Sequence, residues 1–191
     1  TDTSKRKVIQ YVAYVDGADT TAGHGTHVCG TITGKSTASQ TSYNAVAPEA
    51  KMAFYELDHP GPYLSVPSLE TYVFPAAKSA GAWIHSNSWG GGTDAYSSFA
   101  LEVDRYMYNN NNYLALFAAG NYGPSAHTII SPGIAKNSLT VGAAGTGHGI
   151  GRDTLASFSS RGPTFDNRFG IDIIVQGHST YSARADASSS S

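Results

Sequence analysis

Charge is scarce in this chain. Lys and Arg number 12 and Asp and Glu 14 among 191 residues, for a formal net charge of -2. That leaves no basic surface for a phosphate backbone, so nucleic acid is not an expected partner. Cysteine is scarcer still: Cys29 stands alone, so no disulfide forms within these residues. One thiol does not decide the redox compartment, and on a buried helix its expected role is packing. No apolar run approaches the ~18–20 residues that span a bilayer, and Tyr113–Gly120 (YLALFAAG) has the length of one buried strand. A membrane is therefore not an expected partner either. The opening residues, Thr1-Asp2-Thr3-Ser4-Lys5-Arg6-Lys7, carry neither an initiator Met nor an apolar core. They do not read as a signal peptide, and the chain reads as an internal piece of a longer one.

What the chain does have is a regular alternation of strand-like and helix-like segments. Val8–Val15 (VIQYVAYV) is β-branched and aromatic and predicts a strand ending at Asp16-Gly17. His24–Ile32 predicts a short, mostly buried helix, and Lys51–Leu57 a second strand. Ser65–Ala80 has helical spacing, with Leu69, Val73, Ala76, Ala77 and Ala80 on one face. Pro67 suits its first turn, and Pro75 predicts a kink. Trp83–Trp89 reads as a third strand. Tyr96–Asn109 reads as a helix with Phe99, Val103, Tyr106 and Met107 inward, stopped by the Asn109–Asn112 run through a left-handed asparagine. Tyr113–Ala119 and Ser138–Ala143 bring the strands to at least five. Strands separated by helices predict an α/β fold, three-layer, with a mostly parallel sheet and helices on both faces. The length suits one domain over residues 1–191. Gly145–Gly151 is glycine-rich, but no helix follows to collect a phosphate, so a surface loop is expected. The serine-rich end reads as solvated tail.

Several short motifs stand in order along this frame. Gly23–Gly34 reads G-H-G-T-H-V-C-G-T-I-T-G, a histidine at a loop-to-helix junction between glycines. Ala45–Lys51 reads A-V-A-P-E-A-K. The third strand ends H-S-N-S-W-G and the fourth L-F-A-A-G-N-Y-G-P. Then come S-P-G-I-A-K-N-S-L-T-V-G-A at Ser131–Ala143 and L-A-S-F-S-S-R-G-P-T at Leu155–Thr164. Together they resemble the subtilisin-like serine proteases (subtilases), and the resemblance covers most of residues 20–165.

The resemblance implies a serine endopeptidase that cuts protein or peptide substrates, and an exported protein. His24 would be the general base, since a neutral imidazole can take the serine proton near pH 7 and return it to the leaving amine. Asn121, at a strand end, would donate its side-chain N–H to the oxyanion. Ser88-Trp89-Gly90 would pair by backbone with an extended substrate, with glycine giving clearance. Ala118, Ala119 and Gly120 would wall the pocket for the residue preceding the cut, and their small size suggests room for a large apolar side chain. His27, three residues on, would point elsewhere. A His24–His27 metal pair lacks a third ligand, and His59, His127, His148 and His178 read as core or surface groups. No cofactor is required. Structural calcium is common in the family, but no motif maps a site. Oligomeric state is not legible.

Two motifs of the family are missing. Its triad order is Asp, His, Ser, yet neither D-T-G before the histidine nor G-T-S-M-A near the end is present. Asp2 lacks a preceding strand, Asp16 and Asp19 lie close before His24, and Ser179 sits in a poor substitute, G-H-S-T. Gly170–Gly177 (GIDIIVQG) also departs from the family's proline-containing turn. Two expectations follow: the acid and nucleophile lie outside these residues, which alone would be inactive, or the protein is an inactive relative that keeps a peptide-binding cleft. A nucleotide-binding sheet would need G-x-G-x-x-G after the first strand, and Asp16-Gly17-Ala18 does not supply it.

Overall fold

Residues 6–15, 23–36, 43–57, 63–91, 93–147 and 149–185 are described by the structure, a computed structural model. They gather into two units. One holds the residues up to Pro67 and those from Tyr181 on; the other is Ser68–Thr180.

In the first unit, β1 (Val8–Val12) pairs in parallel with β2 (Met52–Tyr55), and α1 (His24–Thr33) lies between them in sequence. Tyr11 and Phe54 are register partners whose rings stack at 5.4 Å, the kind of cross-strand aromatic pair that holds such a ribbon. Both strands are shorter than their apolar runs. Beyond Val12 the ladder ends because the Val15 N–H donates to the Glu56 carboxylate (2.8 Å) instead of to a strand carbonyl. Glu56 is buried, and this bond gives its charge a partner. α1 starts after Gly23, whose φ of 59° is left-handed, and stops at Gly34, whose N–H reaches the Gly30 carbonyl at 2.9 Å.

The second unit is built on a parallel sheet in the order β3 (Ile84–Asn87), β4 (Leu114–Ala118), β5 (Leu139–Gly145), β6 (Ile173–His178). α2 (Phe74–Ser79) precedes β3, and α3 (Ser98–Asn109) crosses from β3 to β4. Leu69, Phe74, Val103, Tyr106, Tyr113 and Phe117 are all buried. Phe74 is central among them, with ring centroids 5.1 Å from both His85 and Tyr106 and 5.7 Å from Tyr113.

Four details correct the sequence reading. The helix foreseen over Ser65–Ala80 opens with a π-helical turn, Leu69–Val73, which hands over to α2. Val73 N–H bonds Ser68 O and Phe74 N–H bonds Leu69 O, both five residues back, immediately before Pro75. Pro75 has no N–H for either register, so the change from π to α falls where no bond is lost. The orphan donors at this start are taken by Ser68 Oγ (Thr71 N, 3.2 Å) and by Glu102 of α3 (Leu69 N, 2.6 Å). At the end of α3, Asn110 is not left-handed; its side chain donates to Tyr106 O at 2.8 Å and caps the helix that way. The inward face of α3 is Ala100, Val103 and Tyr106, with Phe99 and Met107 half-buried. β6 was not foreseen at all. Its β-branched run Ile173-Ile174-Val175 pairs with Val141–Ala143, although it departs from the family's motif. The segment after β5 folds as a loop: Gly145 N–H bonds Thr154 O, Gly147 N–H bonds Ile150 O, and among the described residues no helix follows before β6.

Candidate active site

Because β3 and β4 are parallel and Asn87 pairs with Phe117, their carboxyl ends lie side by side. Ser88-Trp89-Gly90-Gly91 leaves the first and Ala119-Gly120-Asn121 the second. Trp89 turns its half-buried ring inward, edge-on to Phe99 (6.0 Å) and Phe117 (5.8 Å), so this rim offers backbone rather than indole. Gly90 and Asn121 are exposed, Ser88, Ala118 and Gly120 half-buried. Ala119 is buried, so its methyl group belongs to the core and only its main chain borders the gap. Gly92 lies outside the described residues.

Two further segments hold these rims, and neither was assigned a role from sequence. Ile130 N–H donates to Ala119 O (3.1 Å), while Gly91 N–H donates to Ser131 O and Ser131 N–H to Thr93 O, both at 3.0 Å. The chain at 130–131 is thus tied to both rims by backbone bonds. On the other flank Ser160, fully buried, gives its N–H to Gly120 O (3.0 Å) and accepts Tyr122 N–H at Oγ (3.1 Å). The peptide groups on both sides of Asn121 are therefore fixed by one residue. A signal for Ser160 existed in the S-S-R-G-P motif; nothing in the sequence pointed to Ile130.

His24 belongs to the first unit, at the first turn of α1 and exposed. It borders a cleft of about 420 Å³ lined also by Gly23, His27, Ser182, Ala183 and Arg184. His27 was expected to point away, yet it lines the same cleft, as residues three apart on a helix share a face. Its carbonyl accepts the Ser182 hydroxyl at 2.7 Å. Residues 182–183 press so close to α1 that a Cβ on Gly30 would stand 2.5 Å from Ser182 Oγ, which explains a glycine inside this helix. His24 and Asn121 fall in different units.

Ser179 sits exposed after β6 with φ 58°, its Oγ 2.9 Å from the ring of its own neighbour His178. His127 is exposed. Asp2, Asp16, Asp19, His59 and His148 lie outside the described residues. Among the described residues no group of three or more His, Cys, Asp or Glu is placed to hold a metal ion, so no calcium site is assigned. No helix among them is long and apolar enough to cross a membrane.

Comparison with known proteins agrees with these features. The family model described as "Subtilase family" matches residues 2–191. The serine protease/ABC transporter B family protein tagB of Dictyostelium discoideum is 36% identical over 151 residues, covering 75% of this chain and 8% of that protein. The serine protease AprX of Bacillus subtilis (strain 168) is 30% identical over 174 residues, covering 85% of this chain and 39% of that protein. Among solved structures, Sphericase superposes with a TM-score of 0.70 at 29% identity, over 89% of this chain and 57% of that one. The chain thus spans well under two thirds of these relatives, and its motifs, its parallel α/β architecture and the family match over residues 2–191 place it among them. The chain belongs to the subtilase family.

Proposed function

We propose that this chain is the central part of the catalytic domain of a serine endopeptidase that hydrolyses peptide bonds in proteins. It supplies the base, one oxyanion donor and the substrate-binding rims of a Ser-His-Asp mechanism. The aspartate and the nucleophilic serine come from segments beyond residues 1–191. The observation that carries the reading is the rigid juxtaposition of the Ser88–Gly91 and Ala119–Asn121 rims at neighbouring strand ends.

In this mechanism the serine hydroxyl attacks the scissile carbonyl as His24 takes its proton, and His24 then gives that proton to the departing amine. The Asn121 amide, with a backbone N–H, meets the oxygen that becomes negative. An extended substrate adds as a strand along Ser88–Gly90, where the main chain is offered and the Trp89 ring is withdrawn. No cofactor enters, and the product is released outside the cytoplasm.

A fluorophosphonate probe applied to the full-length protein tests this. Wild type should be labelled, and His24→Ala should lose labelling while its circular dichroism is unchanged. Undiminished labelling of that variant would remove His24 from the chemistry. A second reading, an inactive peptide-binding relative, is favoured by the missing acid and nucleophile motifs and by the altered Gly170–Gly177 segment. It requires that the full-length wild type resist the probe yet retain peptide.

A further inference from the structure

The cleft beside His24 has a wall that α1 does not supply. From Tyr181 on the chain belongs to the first unit again, and Ser182–Ala185 follows a single stripe of α1. That stripe is Gly23, His27 and Gly30, at i, i+4 and i+7. At one end the Ser182 hydroxyl donates to His27 O at 2.7 Å. A Cβ built on Gly30 would lie 2.5 Å from Ser182 Oγ and 2.8 Å from Ala183 Cβ. At the other end a Cβ on Gly23 would lie 2.9 Å from Ala185 Cβ and 3.3 Å from Ala185 N. The lengths agree: an extended chain covers about 10 Å from Ser182 to Ala185, and the helix rises about 10 Å from Gly23 to Gly30. The segment therefore lies extended and runs opposite to the helix. Ser182 and Ala185 are half-buried against it, while Ala183 and Arg184 between them are exposed.

The first turn of α1 lacks the usual devices that fix a helix start. Gly23 has no side chain with which to cap it, and no acidic residue stands in that turn. The bonds that fix it pass through His27. Its N–H donates to Gly23 O (3.0 Å), closing the turn that contains His24. Its carbonyl accepts the Thr31 hydroxyl (3.0 Å) from within the helix and the Ser182 hydroxyl from outside it. The two peptide groups of His27 thus link residue 182 to the residue immediately before His24. A base has to be held within about 0.5 Å of its productive place, so what holds this turn bears on rate.

We propose that Ser182–Ala185 is a strap that positions the general base, with Ser182 as its positioning residue. It acts through the helix rather than on the substrate: the hydroxyl pins His27 O, and with it the turn that carries His24. Gly23 and Gly30 admit the strap, because a methyl group at either would lift it from the helix. The inference rests on the protease reading for the role of His24, and its geometry lies wholly within the first unit.

The test uses the full-length protein and the peptide that wild type cleaves fastest in a mixed-sequence fluorogenic panel. Ser182→Ala should lower kcat about tenfold or more with KM within about threefold, the scale on which a displaced catalytic group loses rate. Ser182→Thr keeps the hydroxyl and should return kcat to within about threefold of wild type. Gly30→Ala displaces the strap sterically and should lose as much as Ser182→Ala, with the double variant no worse than the poorer single one. Where Gly30→Ala fails to fold, the Ala and Thr variants at 182 suffice. In parallel, hydrogen exchange reads the strap without turnover. Amides of residues 27–31 should exchange about fivefold faster in Ser182→Ala than in wild type, the scale of one lost hydrogen bond. A kcat for Ser182→Ala within about threefold of wild type, a loss that Thr does not restore, or unchanged exchange overturns the inference even where cleavage is efficient. A wild type that cleaves nothing, with exchange still accelerated by Ala and restored by Thr, overturns the protease reading and upholds the strap. Neither cleavage nor a change in exchange overturns both.

Discussion

His85 should make this protein sensitive to mild acid. It lies on β3 with its ring against Phe74 (5.1 Å, edge-on) and 6.3 Å from Tyr113, and its Nδ1 is buried without a hydrogen-bond partner. Burial pushes the ring down to about 4 from an ordinary 6.5, with an Asn87 hydrogen bond opposing part of the shift. Burial raises both neighbouring tyrosines, Tyr106 and Tyr113, so they stay neutral throughout the acid range. The sign follows from the depressed value. Above pH 6.5 the imidazole is neutral folded or unfolded, and its contribution is complete. Below 6.5 the unfolded chain binds a proton that the folded one refuses, and stability falls until about pH 4. At about 1.36 kcal/mol per unit, the loss is about 1.4 kcal/mol by pH 5.5 and about 3 kcal/mol by pH 4. Urea unfolding at pH 7.5, 5.5 and 4.0, for wild type and His85→Leu, isolates this group from every carboxylate that titrates in both proteins. The difference between the two should shift in favour of the variant by about those amounts. A difference that stays constant from pH 7.5 to 4.0 would refute the assignment of a neutral buried imidazole.

Three other perturbations probe the framework and the rims. Asp104→Ala removes the carboxylate that accepts Lys136 N–H (2.8 Å), Asn137 N–H (2.7 Å) and the Tyr96 hydroxyl (2.6 Å), tying α3 to the turn before β5. Urea denaturation should show a loss of about 2 kcal/mol, and a loss under about 0.5 kcal/mol would mean that water replaces the carboxylate freely. Gly120→Ala asks a Cβ to exist at φ 112° and 2.8 Å from the buried Ser160 Oγ. It should cost about 1–3 kcal/mol in thermal unfolding and lower peptide cleavage, and a neutral result would mean the rim can shift. Asn121→Ala should lower kcat by about 10²–10³ with KM within about threefold, a magnitude carried over from subtilisin itself. Because Asn121 is exposed, its unfolding midpoint should hardly move. A kcat within about threefold of wild type would remove the amide from oxyanion binding.

The elements that were legible in sequence are those whose signal is local. α1 was readable because a left-handed glycine starts it and another glycine ends it. The cores of β1, β2, β4 and β5 were readable because their apolar runs are short and bounded by turns. Their ends were not, since a strand stops where its backbone bonds are taken elsewhere, as Glu56 takes Val15 N–H. The Ser65–Ala80 segment was readable as helix by its periodicity, but the π turn that precedes Pro75 has no hydrophobic signature. β6 was hidden for the opposite reason. Its run Ile173–Val175 is an ordinary strand pattern, set among residues that depart from the family's proline-containing turn.

The site divides along the same line, and Ile130 marks where. Motifs such as S-W-G and A-A-G-N advertise glycines at a rim, and a glycine says that something comes close without saying what. The approaching group here lies 40 positions after Gly90 and ten after Gly120, in a stretch whose own sequence, T-I-I-S-P, reads as unremarkable apolar chain. It is brought between the rims by three backbone hydrogen bonds, a class of contact that leaves no trace in side-chain identity. Reading only the motif residues, one finds two small-walled rims and infers an ample pocket. The segment after β4 puts Ile130 against both of those rims. The packing of these rims is therefore set by the segment after β4 as much as by the motif residues themselves.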